Sequence, residues 1–161
     1  MNALQVSISV ADLTERMKQR LSGLDLTPPA RIVWDDEGQR VLLHLDSLRT
    51  RIVDGWLLCQ LDLETDPTKR RTLQFVYFLG VPSEADGLQA ASTINASTVE
   101  ASQLADRWGA QVQRVLWDAV LDGVEASVRH TKEQYPGQPV LLGGFNAGAN
   151  ALQVRVLAGN A

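Results

Sequence analysis

The clearest pattern in the chain is a run of three strand-like segments between Arg40 and Val81 whose apolar residues occupy both faces. Asp54-Gly55 and a turn over residues 65–69 separate the three segments. If Asp54-Gly55 forms a two-residue type I′ turn, Val53 faces Trp56, and this fixes the register between the first two of the three segments. A sheet that is apolar on both sides needs a cover on each side, because exposed apolar area is unfavourable. The pattern therefore predicts an antiparallel sheet with two packing partners.

One face of this sheet is apolar along its whole length and is expected to form the core. Pairing Glu64 with Arg70 carries this face into the third segment. The residues of this inner face are Leu48, Ile52, Leu57, Cys59, Leu61, Leu63, Leu73, Phe75, Tyr77 and Leu79. In the first segment the apolar positions change from odd to even numbers after Leu45, which predicts a β-bulge or break near Asp46-Ser47.

The opposite, outer face is polar at one end and apolar at the Asp54-Gly55 end. The residues of this apolar patch are Val53, Trp56, Leu58, Val76 and Phe78. Burying each of them is worth about 1.5–3 kcal/mol, and a contiguous apolar surface of this size usually marks an interface. We expect the patch to be the interface of a homodimer. The alternative is that the C-terminal hairpin of the same chain covers it.

The remainder of the chain predicts helices and shorter strands around this sheet. Alternation through Val10 predicts a first strand, and Asp12 predicts the N-cap of a short helix that ends near Gly23. A hairpin over residues 31–46 comes next. Beyond the third segment, Pro82 to Gly87 predicts a turn and Ala90 to Thr98 a loop or a short helix.

A capping box at Ser97 to Glu100 begins the dominant helix, which extends to about Gln134. A straight helix of this length is ~50 Å long, whereas a compact domain of this size is only ~40 Å across, so we expect a kink at Asp122-Gly123. Strands over residues 139–145 and 152–157 close the chain as a hairpin. The predicted fold is α+β: a bent antiparallel sheet of five or more strands on one long helix, with a short N-terminal helix and a C-terminal β-hairpin.

Composition places the chain among ordinary globular domains. Its 161 residues are 45% hydrophobic and 21% charged, which suits a single domain over residues 1–161. No apolar run approaches the ~20 residues of a membrane helix, and the first residues lack the features of a secretory signal, so we expect no membrane partner. Cys59 is the one cysteine, which favours a reducing, cytoplasmic location. The formal net charge of −4 argues against nucleic acid as a partner.

Residues with catalytic or metal-binding chemistry are few. His44 and His130 are the two histidines, and each is expected to be a surface or hydrogen-bonded structural residue. Cys59 faces the core, where burial disfavours a thiolate. Acidic groups at residues 35–37, 62–66 and 118–125 have simpler explanations as turns and ion pairs, and the glycine-rich stretch 143–148 is expected to be a flexible hairpin turn. The sequence therefore predicts no catalytic residue, no metal site and no cofactor.

The strongest electrostatic feature is a basic group close to the outer face. It consists of Arg49, Arg51, Arg70 and Arg71, together with Lys69. This group is a candidate site for a small anionic ligand or an acidic protein segment. The simpler interpretation is that these cations balance Asp62, Glu64 and Asp66 and protect edge strands from aggregation.

Two functional hypotheses follow from these patterns. The first is a non-catalytic binding or assembly protein that acts as a homodimer through the apolar patch of the outer face. The alternative is a small-molecule-binding protein or modest enzyme with a cleft between the sheet and the long helix, lined by Trp108, Tyr77 and His44. The scarcity of catalytic side chains favours the first hypothesis.

Overall fold

A computed structural model describes residues 1–23, 27–80 and 91–159 of the chain. Within these ranges the strands are β1 (Asn2–Ser9), β2 (Ile32–Asp36), β3 (Gln39–Val53), β4 (Gly55–Glu64), β5 (Arg71–Gly80), β6 (Ala91–Asn95), β7 (Val140–Ala147) and β8 (Ala151–Ala158). The helices are α1 (Val10–Ser22), α2 (Val99–Leu104) and α3 (Ala110–Gln134), and a π-helical turn over Ala105–Gly109 joins α2 to α3.

The strands form two antiparallel sheets. The larger has the order β2-β3-β4-β5-β6, and the smaller has the order β1-β8-β7. The predicted α+β fold, with a five-stranded antiparallel sheet, a long helix, a short N-terminal helix and a C-terminal hairpin, is confirmed. The hairpin does not extend the large sheet, because β8 pairs with β1 along its whole length, from Asn2 opposite Ala158 to Ser9 opposite Ala151.

The predicted register of the large sheet is also confirmed. Val53 lies opposite Trp56, and the β4–β5 pairing ends at Leu63 opposite Arg71, which is the register that Glu64 opposite Arg70 requires. The type I′ turn lies elsewhere, however. Such a turn needs a positive φ at both central residues, and Glu37 (53°) and Gly38 (79°) meet this condition, whereas at Asp54-Gly55 only the glycine does, with a φ of 85°.

Every inner-face residue is buried, with an exposed fraction of 3% or less. The change of parity within β3 is accommodated by the predicted bulge, since the pairing with β4 shifts between His44 and Arg49. The Ser47 hydroxyl bridges this interruption: it donates to the His44 carbonyl (2.6 Å) and accepts from the Asp62 backbone N–H (2.9 Å). A side chain thus satisfies backbone groups that the regular ladder would have paired.

The N-cap of helix α1 lies three residues before the predicted one. Ser9 is the cap, and its hydroxyl accepts a hydrogen bond from the Asp12 backbone N–H (3.1 Å). The helix ends at Gly23 as expected, in the left-handed conformation that glycine adopts most easily. Leu13, Met17 and Leu21 are buried between α1 and its neighbours β3 and α3.

The long helix departs from regular α geometry, but not at the predicted position. Helix α3 passes through Asp122-Gly123 without a break. Gly123 instead allows β1 and α1 to approach closely, since a Cβ there would lie 3.2 Å from Ile8 Cδ1 of β1 and 3.5 Å from Arg16 Cδ of α1. Nearby, Arg20 of α1 binds Asp122 through two hydrogen bonds of 2.6 and 2.8 Å. The irregularity is instead the π-helical turn, and the N-cap is Thr98, not Ser97.

Two other segments differ from expectation. Residues 91–95, predicted as loop or helix, form edge strand β6 because β5 supplies a hydrogen-bonding partner. The glycines at 143 and 144 lie within β7 at a bulge, not in a turn, and a Cβ on Gly143 would lie 3.1 Å from the Arg155 carbonyl oxygen. The turn predicted at Pro82 to Gly87 lies outside the described residues.

Trp117 of α3 links the two sheets. Its ring stacks on Tyr77 of β5, with centroids 5.6 Å apart, and also contacts Phe145 of β7 at 5.9 Å. The helices and the C-terminal hairpin therefore share the inner side of the large sheet. Within the described residues, no helix is both long enough and apolar enough to cross a membrane.

Candidate functional site

The apolar patch of the outer face lies on three neighbouring strands at the Asp54-Gly55 end of the sheet. Trp56 and Phe78 are directly opposite each other on β4 and β5, and their rings contact with centroids 4.8 Å apart. Trp56 is 42% exposed and Phe78 is 43% exposed. Val53 and Leu58 are half-buried, and only Val76 is buried. The structure thus brings all five predicted residues together on one surface.

The C-terminal hairpin does not cover this patch. Phe145 of that hairpin packs on Trp117, which stacks on Tyr77 of the inner face, so the hairpin lies on the other side of the sheet. In the described part of the chain, the Trp56 and Phe78 side chains are left accessible to a partner.

A cation and an anion flank the patch. Arg51 is opposite Leu58, and Asp54 occupies the turn between β3 and β4. Both are exposed, and neither makes an ion pair with another described residue. The edge of the patch therefore carries both signs of charge.

The other predicted arginines have partners. Arg49 Nη1 donates to the carbonyl oxygens of Asp46 (3.1 Å) and Leu48 (3.2 Å), so its guanidinium satisfies the backbone of the bulge. Arg70 Nε donates to Asp62 Oδ2 (2.7 Å) at the polar end of the outer face. Arg71 is opposite Leu63, an inner-face residue, and so projects from the other side of the sheet. The four arginines do not converge on one site.

Asp62 illustrates the electrostatics of the polar end. Partial burial acts to raise the pKa of its carboxyl, but hydrogen bonds from Thr72 (2.6 Å) and Arg70 outweigh burial, and the pKa falls below its usual value. The Asp62 carboxylate therefore stays ionised and paired, which suits a structural role better than proton transfer.

His44 lies on the outer face opposite Asp62 and is only 3% exposed. Its Nε2 lies 3.0 Å from Glu64 Oε1, and its Nδ1 is buried with no hydrogen-bond partner in the described residues. The spacing along the chain does not reveal this contact, because His44 and Glu64 are 20 residues apart. The register could have revealed the contact, since Leu42 pairs with Glu64 and residues on diagonal positions of one face are neighbours.

The other histidine and the one cysteine are not part of the apolar patch. His130 is exposed on α3, 3.9 Å from Glu133. Cys59 is fully buried, and burial raises the pKa of its thiol to about 12, as expected for a small core residue.

The predicted cleft between the sheet and the long helix is divided. One cavity of about 430 Å³ lies between the β2–β3 turn, the β4–β5 turn and the π-helical turn, and Trp108 and Arg107 line it. Arg107 is held there by Gln39 Oε1 and by Asp36 Oδ2 (3.0 Å). A second cavity of about 250 Å³ lies beside Tyr77 and Trp117. Tyr77 and Trp108 thus line separate cavities, and His44 lines neither of the two.

Comparison with known proteins gives this chain no relative from which a function could be transferred. It matches no protein-family model, no curated protein and no solved structure. The function must therefore be argued from the geometry of the chain itself.

Proposed function

We propose that the protein is a non-catalytic binding or assembly protein that acts as a homodimer through the apolar patch of the outer face. The observation that carries this proposal is the exposed pair Trp56–Phe78, two aromatic rings in contact on a regular sheet surface. Aromatic residues of this kind dominate the binding free energy of interfaces when a partner buries them.

A second copy fits the edge of the patch. In a two-fold interface, residue i of one copy contacts residue j of the other, and j contacts i in return. A surface with one exposed cation, Arg51, and one exposed anion, Asp54, is therefore complementary to itself. Stable interfaces bury about 800 Å² on each partner, which is more than the five residues of the patch supply. The proposed contact therefore includes these two charged residues and extends towards β6.

The cysteine and the distribution of charge support a location and a class of partner. The buried thiol of Cys59 needs no oxidising environment, which supports a reducing, cytoplasmic location. The net charge of −4 and the dispersal of the arginines support a protein partner over nucleic acid or a small anion. An acidic segment of another protein is the competing occupant of the patch.

The first test is the substitution Trp56→Asp. Two buried charges at the centre of the interface are expected to abolish this contact, halve the assembly mass in sedimentation equilibrium and leave the circular dichroism spectrum unchanged. Leu121→Asp is the matched control, because Leu121 is 38% exposed on α3, away from the patch. An assembly mass that Trp56→Asp leaves unchanged would rule out the patch as the dimer contact.

The charges give a sharper test of the occupant. Arg51→Asp and Asp54→Arg should each weaken self-association by like-charge repulsion, whereas an equimolar mixture of the two variants should form heterodimers. Heterodimers that form in the mixture would show that the partner is another copy of this chain. If the mixture stays monomeric while the wild type dimerises, Arg51 and Asp54 do not pair across the interface.

A further inference from the structure

The edge of the small sheet formed by β1 differs from the other sheet edges in the described structure. Unpaired edge strands invite association, and proteins normally protect them by short length, charge, proline or a bulge. Strands β2 and β6 have five residues each, and β2 also carries Asp35 and Asp36. Strand β7 follows Pro139 and has a bulge between Leu142 and Gly144.

Strand β1 has none of these protective features. It contains eight residues, Asn2 to Ser9, without a charge or a proline. It pairs with β8 residue for residue and has no bulge. Its second edge faces no other strand of the described structure. Of the four sheet edges described, β1 is the one on which a further strand could pair most regularly.

Burial along β1 is also incomplete. Leu4, Val6 and Ile8 share the face that packs on the core, but only Ile8 is buried, at 4% exposed, whereas Leu4 and Val6 are half-buried. A strand added beside β1 would bring apolar side chains next to Leu4 and Val6 and complete their burial.

We propose that β1 pairs antiparallel with β1 of a second copy and joins the two small sheets into one continuous six-stranded sheet. Directly opposite residues share a face, so core-facing residues must oppose core-facing residues. Placing the two Val6 residues on the two-fold axis sets Leu4 opposite Ile8 and Gln5 opposite Ser7. Apolar residues then meet apolar residues and polar residues meet polar residues, without a like-charge contact within the strand.

This contact is weak and separate from the outer-face dimer. One strand pair buries less area than a stable interface requires, so it operates at high protein concentration. The β1 contact and the outer-face dimer lie on different strands and are tested by different substitutions. A result that disproves one of them therefore leaves the other untouched.

A disulfide cross-link tests the register. Val6→Cys places one thiol on each side of the two-fold axis, and the Cα–Cα distance between directly opposite antiparallel residues is one that a disulfide can span. Mild oxidation should therefore give a covalent dimer, and it should do so in the Trp56→Asp background as well. Gln5→Cys is the register control and should cross-link more slowly, because the two residues 5 are diagonal to each other. The buried Cys59 thiol should stay unreacted in the folded protein. Equal cross-linking rates for the two variants, or no cross-link with Val6→Cys, would overturn the proposal.

A matched pair of charge substitutions tests the contact without a new cysteine. Ser7 and Gln153 are directly opposite each other on β1 and β8, and their side chains are hydrogen-bonded. Either Ser7→Glu or Gln153→Glu adds one charge and alters this bond, but only the first puts a charge on the edge strand. In sedimentation velocity of the Trp56→Asp background, Ser7→Glu should weaken residual self-association at least tenfold more than Gln153→Glu. Equal effects, or no residual association at high concentration, would contradict the pairing of β1.

Discussion

The two faces of the five-stranded sheet are formed by the same strands but differ in how far their aromatic side chains are buried. On β5, Phe75 and Tyr77 point to the inner face and are at most 2% exposed, whereas Phe78 points to the outer face and is 43% exposed. Helices, with Trp117 among their side chains, cover the inner face, while no described element covers Trp56 and Phe78. At the Asp54-Gly55 end of the sheet, apolar residues therefore form a core on one face and an accessible surface on the other.

The difference shows that apolar patterning identifies surfaces that need a cover but does not identify the cover. The inner face is covered by helices of the same chain, so burial of its apolar residues stabilises the folded monomer. For the outer face we propose that a second copy supplies the cover, so the contribution of Trp56 and Phe78 is to association.

The largest difference in stability should appear between two variants of β5 in which a phenylalanine is replaced by alanine, one on each face of the sheet. Phe75→Ala opens a cavity in the core and is expected to lower the free energy of unfolding by about 3–5 kcal/mol. Phe78→Ala should cost less than about 1 kcal/mol in dilute protein, since this side chain is already accessible. Urea unfolding of both variants over a range of protein concentrations measures the two effects. If the proposed dimer forms, the wild-type midpoint should rise with concentration and the Phe78→Ala midpoint should not.

An intermediate effect is expected at the bulge between the two ends of β3. Ser47→Ala removes the hydroxyl that bonds both His44 and Asp62, leaving backbone groups without their partner, and should cost about 1–3 kcal/mol. Ser92→Ala in β6 is the control, because Ser92 is exposed. A Ser47→Ala variant as stable as the control would mean that water replaces the hydroxyl.

The smallest effect should be at the polar end of the outer face. Asp62→Asn weakens the interactions with Arg70 and Thr72 and is expected to cost about 1 kcal/mol at neutral pH, because Arg70 is half-exposed. The folded-state pKa of Asp62 is lowered, so this stabilisation is present above the unfolded carboxyl pKa of about 3.9 and is lost as the pH falls through the folded value. Denaturant unfolding of both proteins from neutral to acid pH should show the difference disappearing. A difference that persists at the acid end would assign the effect to packing.

The sequence predicts strands β3 to β5 of the large sheet well because their signals are local. Alternation, the Asp54-Gly55 turn and the change of parity near Ser47 together define the inner face, the register and the bulge. The five residues of the outer patch are predictable in the same way, since they follow from the register once the inner face is known.

Features that depend on distant partners could not be predicted. Residues 91–95 carry the small and polar side chains of a loop, and only pairing with β5 makes them a strand. The π-helical turn has no pattern of its own, and it lies where Arg107 bonds to Asp36 across the cavity. His44 meets Glu64 through the fold and not through sequence spacing.

The pairing of β1 with β8 also has a consequence for the order in which the chain acquires its structure. Of the described strands, β1 is the first and β8 the last, and they are ladder partners with Asn2 opposite Ala158, so β1 stays without this partner until β8 has left the ribosome. Contacts this distant along the chain form late and slow the folding reaction. During synthesis both edges of β1 are open, and a strand without charge or proline is then most exposed to pairing with a neighbouring nascent chain.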